Sequence, residues 1–120
     1  MERLRRRRDF LRACHEGRPF RSAHLAIHAL AREKTPPRGL RVGFSVGRRF
    51  GGAVARNRLR RRLREACRTV VSKNLKPIRG DWDLIIIPRP EAARARFQEL
   101  SAGLRDILER LPPQGEQEAP

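Results

Sequence analysis

Tyrosine is missing from this chain, tryptophan occurs once and cysteine only twice. No apolar stretch approaches the roughly 20 residues that cross a bilayer; the longest, Leu84 to Ile87, is strand-sized. No apolar segment follows the charged N-terminus, so neither a secretory signal nor a membrane association is expected. Cys14 and Cys67 lie in unrelated segments without CxxC spacing. That excludes a disulfide framework and fits a reducing compartment, so the expected location is cytoplasmic. Carboxylates are scattered, and no Ser/His/Asp or Cys/His nucleophile set is apparent. The chain is therefore expected to carry no catalytic residue of its own.

What the chain has in excess is positive charge. Lys and Arg number 29 against 13 acidic residues, a net charge of +16 on 120 residues. Such an excess repels itself in a compact state and is best tolerated beside a polyanion. All but three of the cations (Lys34, Lys73 and Lys76) are arginine. Codon usage can raise Arg over Lys, but it does not create the net charge. The guanidinium fork pairs bidentately with phosphate and stacks on bases, which suits RNA.

The length fits one small domain, expected over residues 1–111, with a Pro-, Gln- and Glu-rich tail at 112–120 expected to be disordered. Residues 1–8 read as a basic arm. Residues 9–16 read as a short helix, with Asp9 in its first turn and Gly17 as its stop. Residues 20–31 alternate as a strand: Leu25, Ile27 and Ala29 face one way and His24, Ala26 and His28 the other, with an extra strand split off around Phe20 as an option. Residues 35–39 form a turn cluster. Leu40, Val42, Phe44 and Val46 alternate with Arg41, Gly43 and Ser45, a second strand. After Gly51 and Gly52 comes a long helix over residues 53–72, with Ala55, Leu59, Leu63, Ala66, Cys67 and Val70 as its apolar stripe. Residues 82–87 are a buried strand ended by Pro88 and Pro90. A last helix over 91–111 carries Phe97, Leu100, Leu104, Ile107, Leu108 and Leu111. This order predicts an α+β protein, a small α/β sandwich with mostly a four-stranded sheet and three helices. Phe44, Phe97 and Trp82 are assigned to the core, while Phe20 and Phe50 stay open.

The segment from Arg56 to Glu65 holds six arginines and one acid, so salt bridging along the helix is not its purpose. Leu59 and Leu63 anchor it to a core. It follows Arg48 and Arg49 and the glycine pair, where backbone can approach a phosphate closely. Asp81 and Asp83 flank Trp82 on one strand face and could hold a magnesium ion, but are read as solvated strand-end residues. His24 and His28 lie about 13 Å apart along a strand, too far to share a zinc ion. They are read as cleft-lining or surface residues.

Residues 40–65, LRVGFSVGRRFGGAVARNRLRRRLRE, resemble the signature of the bacterial ribonuclease P protein family: a strand, two basic residues, a glycine turn and a helix opening on Ala-Val-x-Arg-Asn-Arg. Weaker similarity covers Arg8, Asp9, Phe10 and Gly17, and Asp83 through Arg89. The resemblance implies a ribosomal protein S5 domain 2-like fold with a left-handed crossover around the long helix. It implies that Arg56, Asn57, Arg58, Arg60, Arg61, Arg62, Arg64 and Arg68, with Arg48 and Arg49, face the ribonuclease P RNA. A cleft between the first helix and the sheet, with Phe10, Cys14, His28 and Ser45, would hold the single-stranded 5′ leader of precursor tRNA. Family members often carry an aromatic where this chain has Cys14. The implied role is that of a protein subunit, one per RNA subunit, assisting removal of the leader. Catalysis and Mg2+ then belong to the RNA, and the protein itself needs no cofactor. The competing readings are a ribosomal or generic basic RNA-binding module without an enzyme partner, and a stand-alone nuclease, which would need a catalytic cluster.

Overall fold

The computed structural model describes residues 2–32, 40–73 and 81–111. The turn cluster at 35–39 and the tail at 112–120 lie outside the described residues. Five strands form one sheet: β1 (Glu2–Arg3), β2 (Arg18–Arg21), β3 (Leu25–Arg32), β4 (Leu40–Phe44) and β5 (Asp81–Pro88), in the order β1-β4-β5-β3-β2. Four have at least four residues, and β1 adds a two-residue edge. The helices are α1 (Arg7–Glu16), α2 (Ala53–Lys73) and α3 (Phe97–Arg110), with 3-10 turns at Arg48–Phe50 and Pro90–Arg94.

The periodicities explain these elements. β3 alternates as expected: Leu25, Ile27 and Ala29 are buried in the main core, and Ala26, His28 and Leu30 are half-buried on the opposite face. The optional strand at Phe20 is β2, antiparallel to β3, with Phe20 opposite Ile27. β5 runs parallel to β4 and antiparallel to β3, so it is central and covered on both faces. This is why its sequence is a nearly unbroken apolar run. Trp82, Leu84 and Ile86 enter the main core, while Asp83 and Ile85 are buried on the other side.

α2 and α3 pack side by side over the main-core face. α3 touches β3, and its Arg110 stacks on Phe20 of β2, so α2 lies toward the β4 side. Leu59, Leu63, Ala66, Cys67 and Val70 are buried as the stripe predicts. Each large side chain among them contributes roughly 1.5–3 kcal/mol, which offsets the self-repulsion of the arginines. α1 lies alone on the opposite face, against β3 and β5.

Three expectations need correction. The last helix does not start near Glu91: Pro90 opens a 3-10 turn, Ala92 and Ala95 are buried, and the helix restarts where Glu99 Oε1 accepts the Arg96 N–H at 2.8 Å. Phe97 therefore sits on the first turn of α3, 38% exposed, and is not a core residue. Ala55 is exposed although periodicity puts it on the stripe, because it borders an open pocket between α2 and the two 3-10 turns.

Candidate nucleic-acid interface

The basic helix begins where the backbone makes a turn that only glycine takes easily. Gly51 has φ +111°, and a Cβ there would also press on the Ala55 Cβ at 3.1 Å. The next residue's carbonyl accepts the Arg56 N–H at 3.0 Å, opening α2. With 100° per residue, Arg56, Asn57, Arg60, Arg61, Arg64 and Arg68 share the flank turned away from α3. Arg58 and Arg62 fall on the other flank. There the Arg62 guanidinium donates to the Ala95 carbonyl, tying α2 to the second 3-10 turn.

Few acids neutralise the outer flank. Glu65 reaches Arg68 at 3.5 Å, an exposed pair of small energetic weight. Asn57 Oδ1 accepts from Arg60 at 2.8 Å, which orients that guanidinium without discharging it. The Nε–H groups of Arg56 and Arg64 find no acceptor among the described residues. Arg48 and Arg49 are exposed on the first 3-10 turn, with Arg49 6.0 Å from the centre of the Phe50 ring. β1 pairs in parallel with β4, so the arm's arginines run along the same edge of the sheet.

The opposite face carries a second constellation. Gly43, Ile85 and His28 are cross-strand partners in one row. Phe10 of α1 lies directly over that row: a Cβ at Gly43 would meet its ring at 3.1 Å and Ile85 at 3.2 Å. Absence of a side chain at position 43 thus seats the aromatic. Cys14, one turn after Phe10, is half-buried, and burial pushes its thiol pKa up. His28 is half-buried with no hydrogen-bond partner for Nδ1 among the described residues. Ser45 extends β4 by donating its N–H to the Ile86 carbonyl at 2.9 Å. The structure therefore brings Phe10, Cys14, His28 and Ser45 to the α1 side of the sheet, and the basic helix to the other. The two sides adjoin at the β1–β4 edge.

Sequence reasoning missed the charge network that fastens α1. Asp83 is 3% exposed, not a solvated strand-end residue. Arg41 clasps it with both arms of its guanidinium, at 2.8 and 2.7 Å, and Arg32, itself 6% exposed, approaches at 2.8 Å. Arg41 also reaches Asp9 of α1 at 3.5 Å. The signal was present in the alternation, which puts Arg32, Arg41 and Asp83 on the face opposite the main core. A single acid there is more cheaply buried between two guanidiniums than left bare. The side chain of Asp81 is outside the described residues. Among those described, no three of His, Cys, Asp and Glu converge as a metal site. His24 is engaged by Glu99 of α3 at 3.6 Å.

Fold and charge together define a small, strongly cationic α+β protein of the nucleic-acid-binding class. The family model for ribonuclease P matches residues 1–112. The ribonuclease P protein component of Ruegeria pomeroyi is 39% identical over 109 residues, covering 90% of this chain and 84% of that protein. That of Gluconacetobacter diazotrophicus is 41% identical over 106 residues, covering 88% and 87%. The RNase P protein from Thermotoga maritima superposes with a TM-score of 0.75 at 31% identity, over 93% of this chain and 99% of that one. The Staphylococcus aureus RNase P protein shares the fold, with a TM-score of 0.72 at 24% identity over 91% and 94%. The chain belongs to the ribonuclease P protein family. Its place is in tRNA processing, as the protein part of a ribonuclease P complex partnered with ribonuclease P RNA.

Proposed function

We propose that this chain binds ribonuclease P RNA through the outer flank of α2 and holds the 5′ leader of precursor tRNA against the α1 side of the sheet. The observation that carries the reading is the division of labour across one sheet: an arginine flank with almost no acids on one face, and an aromatic seated over a glycine on the other. The first neutralises phosphates, a contact that needs density of charge and little shape. The second offers a ring on which an unpaired base can stack, with His28 and Ser45 as polar neighbours. In this reading one protein joins one RNA subunit, in the cytoplasm. Cleavage and its Mg2+ belong to the RNA in this reading, which is supported by the acids among the described residues being either committed to arginine, as Asp83 is, or dispersed. The protein's own contribution is to place the leader and to screen repulsion between RNA segments.

The test is 5′-leader cleavage of a precursor tRNA by a bacterial ribonuclease P RNA at low magnesium, with and without this protein. The expected result is that the protein restores cleavage which the RNA alone does not sustain, and shows none by itself. Binding to RNA without rescue of several RNA types would favour a generic RNA-binding module. Cleavage by the protein alone would overturn the assignment of the chemistry to the RNA.

A further inference from the structure

The apolar stripe of α2 runs one turn past its cover. Leu59 is buried but Ala55 is exposed, and Val54, one turn before Arg58, is 75% exposed. The two 3-10 turns touch each other at this end of the helix. Between them and α2 is a pocket of about 190 Å³ lined by Phe50, Ala55, Arg58, Leu59, Arg62 and Ala93. Four of these residues are apolar, two are cations, and none is an acid. Arg62 is committed to the Ala95 carbonyl and braces the second turn against the helix. The Arg58 guanidinium is exposed and has no acceptor among the described residues.

This combination restricts the occupant. Drug-sized ligands fill roughly 300–1,000 Å³, so the space takes one ring system and not a larger group. The cationic side calls for an anion, and the Phe50 ring and alanine lining call for a flat apolar surface. A bare phosphate would leave the apolar lining unused, and an aliphatic side chain would leave Arg58 unused. A nucleotide uses both. We propose that the pocket receives a single unstacked nucleotide of the RNA that lies along α2, its base against Phe50 and its phosphate on Arg58. Arg49, placed by the same ring, would continue the stack as a guanidinium plane. The inference rests on the reading that α2 faces RNA, and adds to it a point of shape recognition on the flank opposite the phosphate-binding arginines.

Ala93→Leu tests this, because it fills the pocket without changing a charge or touching the buried core. With the full-length protein and ribonuclease P RNA, the variant should bind about tenfold more weakly, the size of one lost base–aromatic stack, and its salt slope should flatten by no more than the one contact Arg58 makes, about 0.7. Phe50→Leu, which keeps apolar volume but removes the ring, should lose a comparable amount while melting within a few degrees of wild type. In the free protein, adenosine monophosphate should shift the amide resonances of Phe50 and Ala93 at concentrations where inorganic phosphate does not. Wild-type RNA affinity in Ala93→Leu would overturn the proposal, as would equal shifts with phosphate alone. Failure of the wild-type protein to rescue cleavage would instead strike the functional reading beneath it, so the two failures are distinguishable.

Discussion

Arg64→Ala and Arg62→Ala remove the same charge from the same helix, two residues apart, yet they should behave differently toward RNA. Arg64 lies on the outer flank with its Nε–H unengaged, whereas the Arg62 guanidinium is turned to Ala95 on the inner flank. Arg48, Arg56, Arg60, Arg61, Arg64 and Arg68 offer about six phosphate contacts. At roughly −0.7 per contact the logarithm of affinity should fall with a slope near −4 against the logarithm of salt, or about 2.5 decades from 50 to 200 mM. Arg64→Ala should reduce the steepness by about 0.7, because one fewer counterion is released. Arg62→Ala should leave the slope unchanged and instead cost about 1 kcal/mol of folding stability, through loss of the tie between α2 and the second 3-10 turn. Fluorescence anisotropy of labelled ribonuclease P RNA across a salt series measures the first, and urea denaturation the second. Equal flattening by both substitutions would refute the division of α2 into an RNA-facing and a packing flank.

Asp83→Asn leaves the two guanidiniums of Arg32 and Arg41 without their shared negative charge, and should cost about 3–5 kcal/mol by urea denaturation; a loss below about 1 kcal/mol would mean the network is not what fastens α1. Burial pushes the Cys67 thiol from 9.0 up to about 12. Below pH 9 the thiol is protonated in both states; between 9 and 12 the unfolded chain releases that proton while the folded one keeps it, so stability should fall by up to about 1.4 kcal/mol per pH unit. With no tyrosine to titrate in that window, melting curves of wild type and Cys67→Ala should separate cleanly, the variant having the flatter alkaline limb. Phe10→Ala should weaken binding of long-leader precursors by about tenfold while sparing those with the shortest leaders, measured by competition binding to the holoenzyme; equal losses on both would remove the leader from the α1 side.

Local pattern alone determined much of this molecule. The alternation in residues 25–29, the unbroken run at 84–87 and the 3.6-residue stripe of α2 each report which face is buried, because burial acts on every residue of a regular element in turn. The same pattern marked α2 as a basic helix, and its Arg-Asn-Arg opening carried the resemblance to the ribonuclease P protein family. Where elements end against one another, the pattern went astray. Ala55 obeys the periodicity but is left uncovered among the described residues, and Phe97 lost its place in the core when the chain restarted its helix at Arg96. Asp83 looked like a surface acid because its two arginine partners lie 42 and 51 positions away, in other strands.

Sequence by itself thus fixes what is periodic and what is charged: the α+β class, the apolar faces, and a polyanion as partner. Only tertiary structure decided that the arginine flank and the Phe10 platform lie on opposite sides of one sheet, that Gly43 makes room for the aromatic, and that Arg62 serves packing contacts unlike its neighbours in the run. These depend on strand order and on contacts between segments far apart in the chain. Periodicity is blind to both, because it records whether a side chain is covered but not by what.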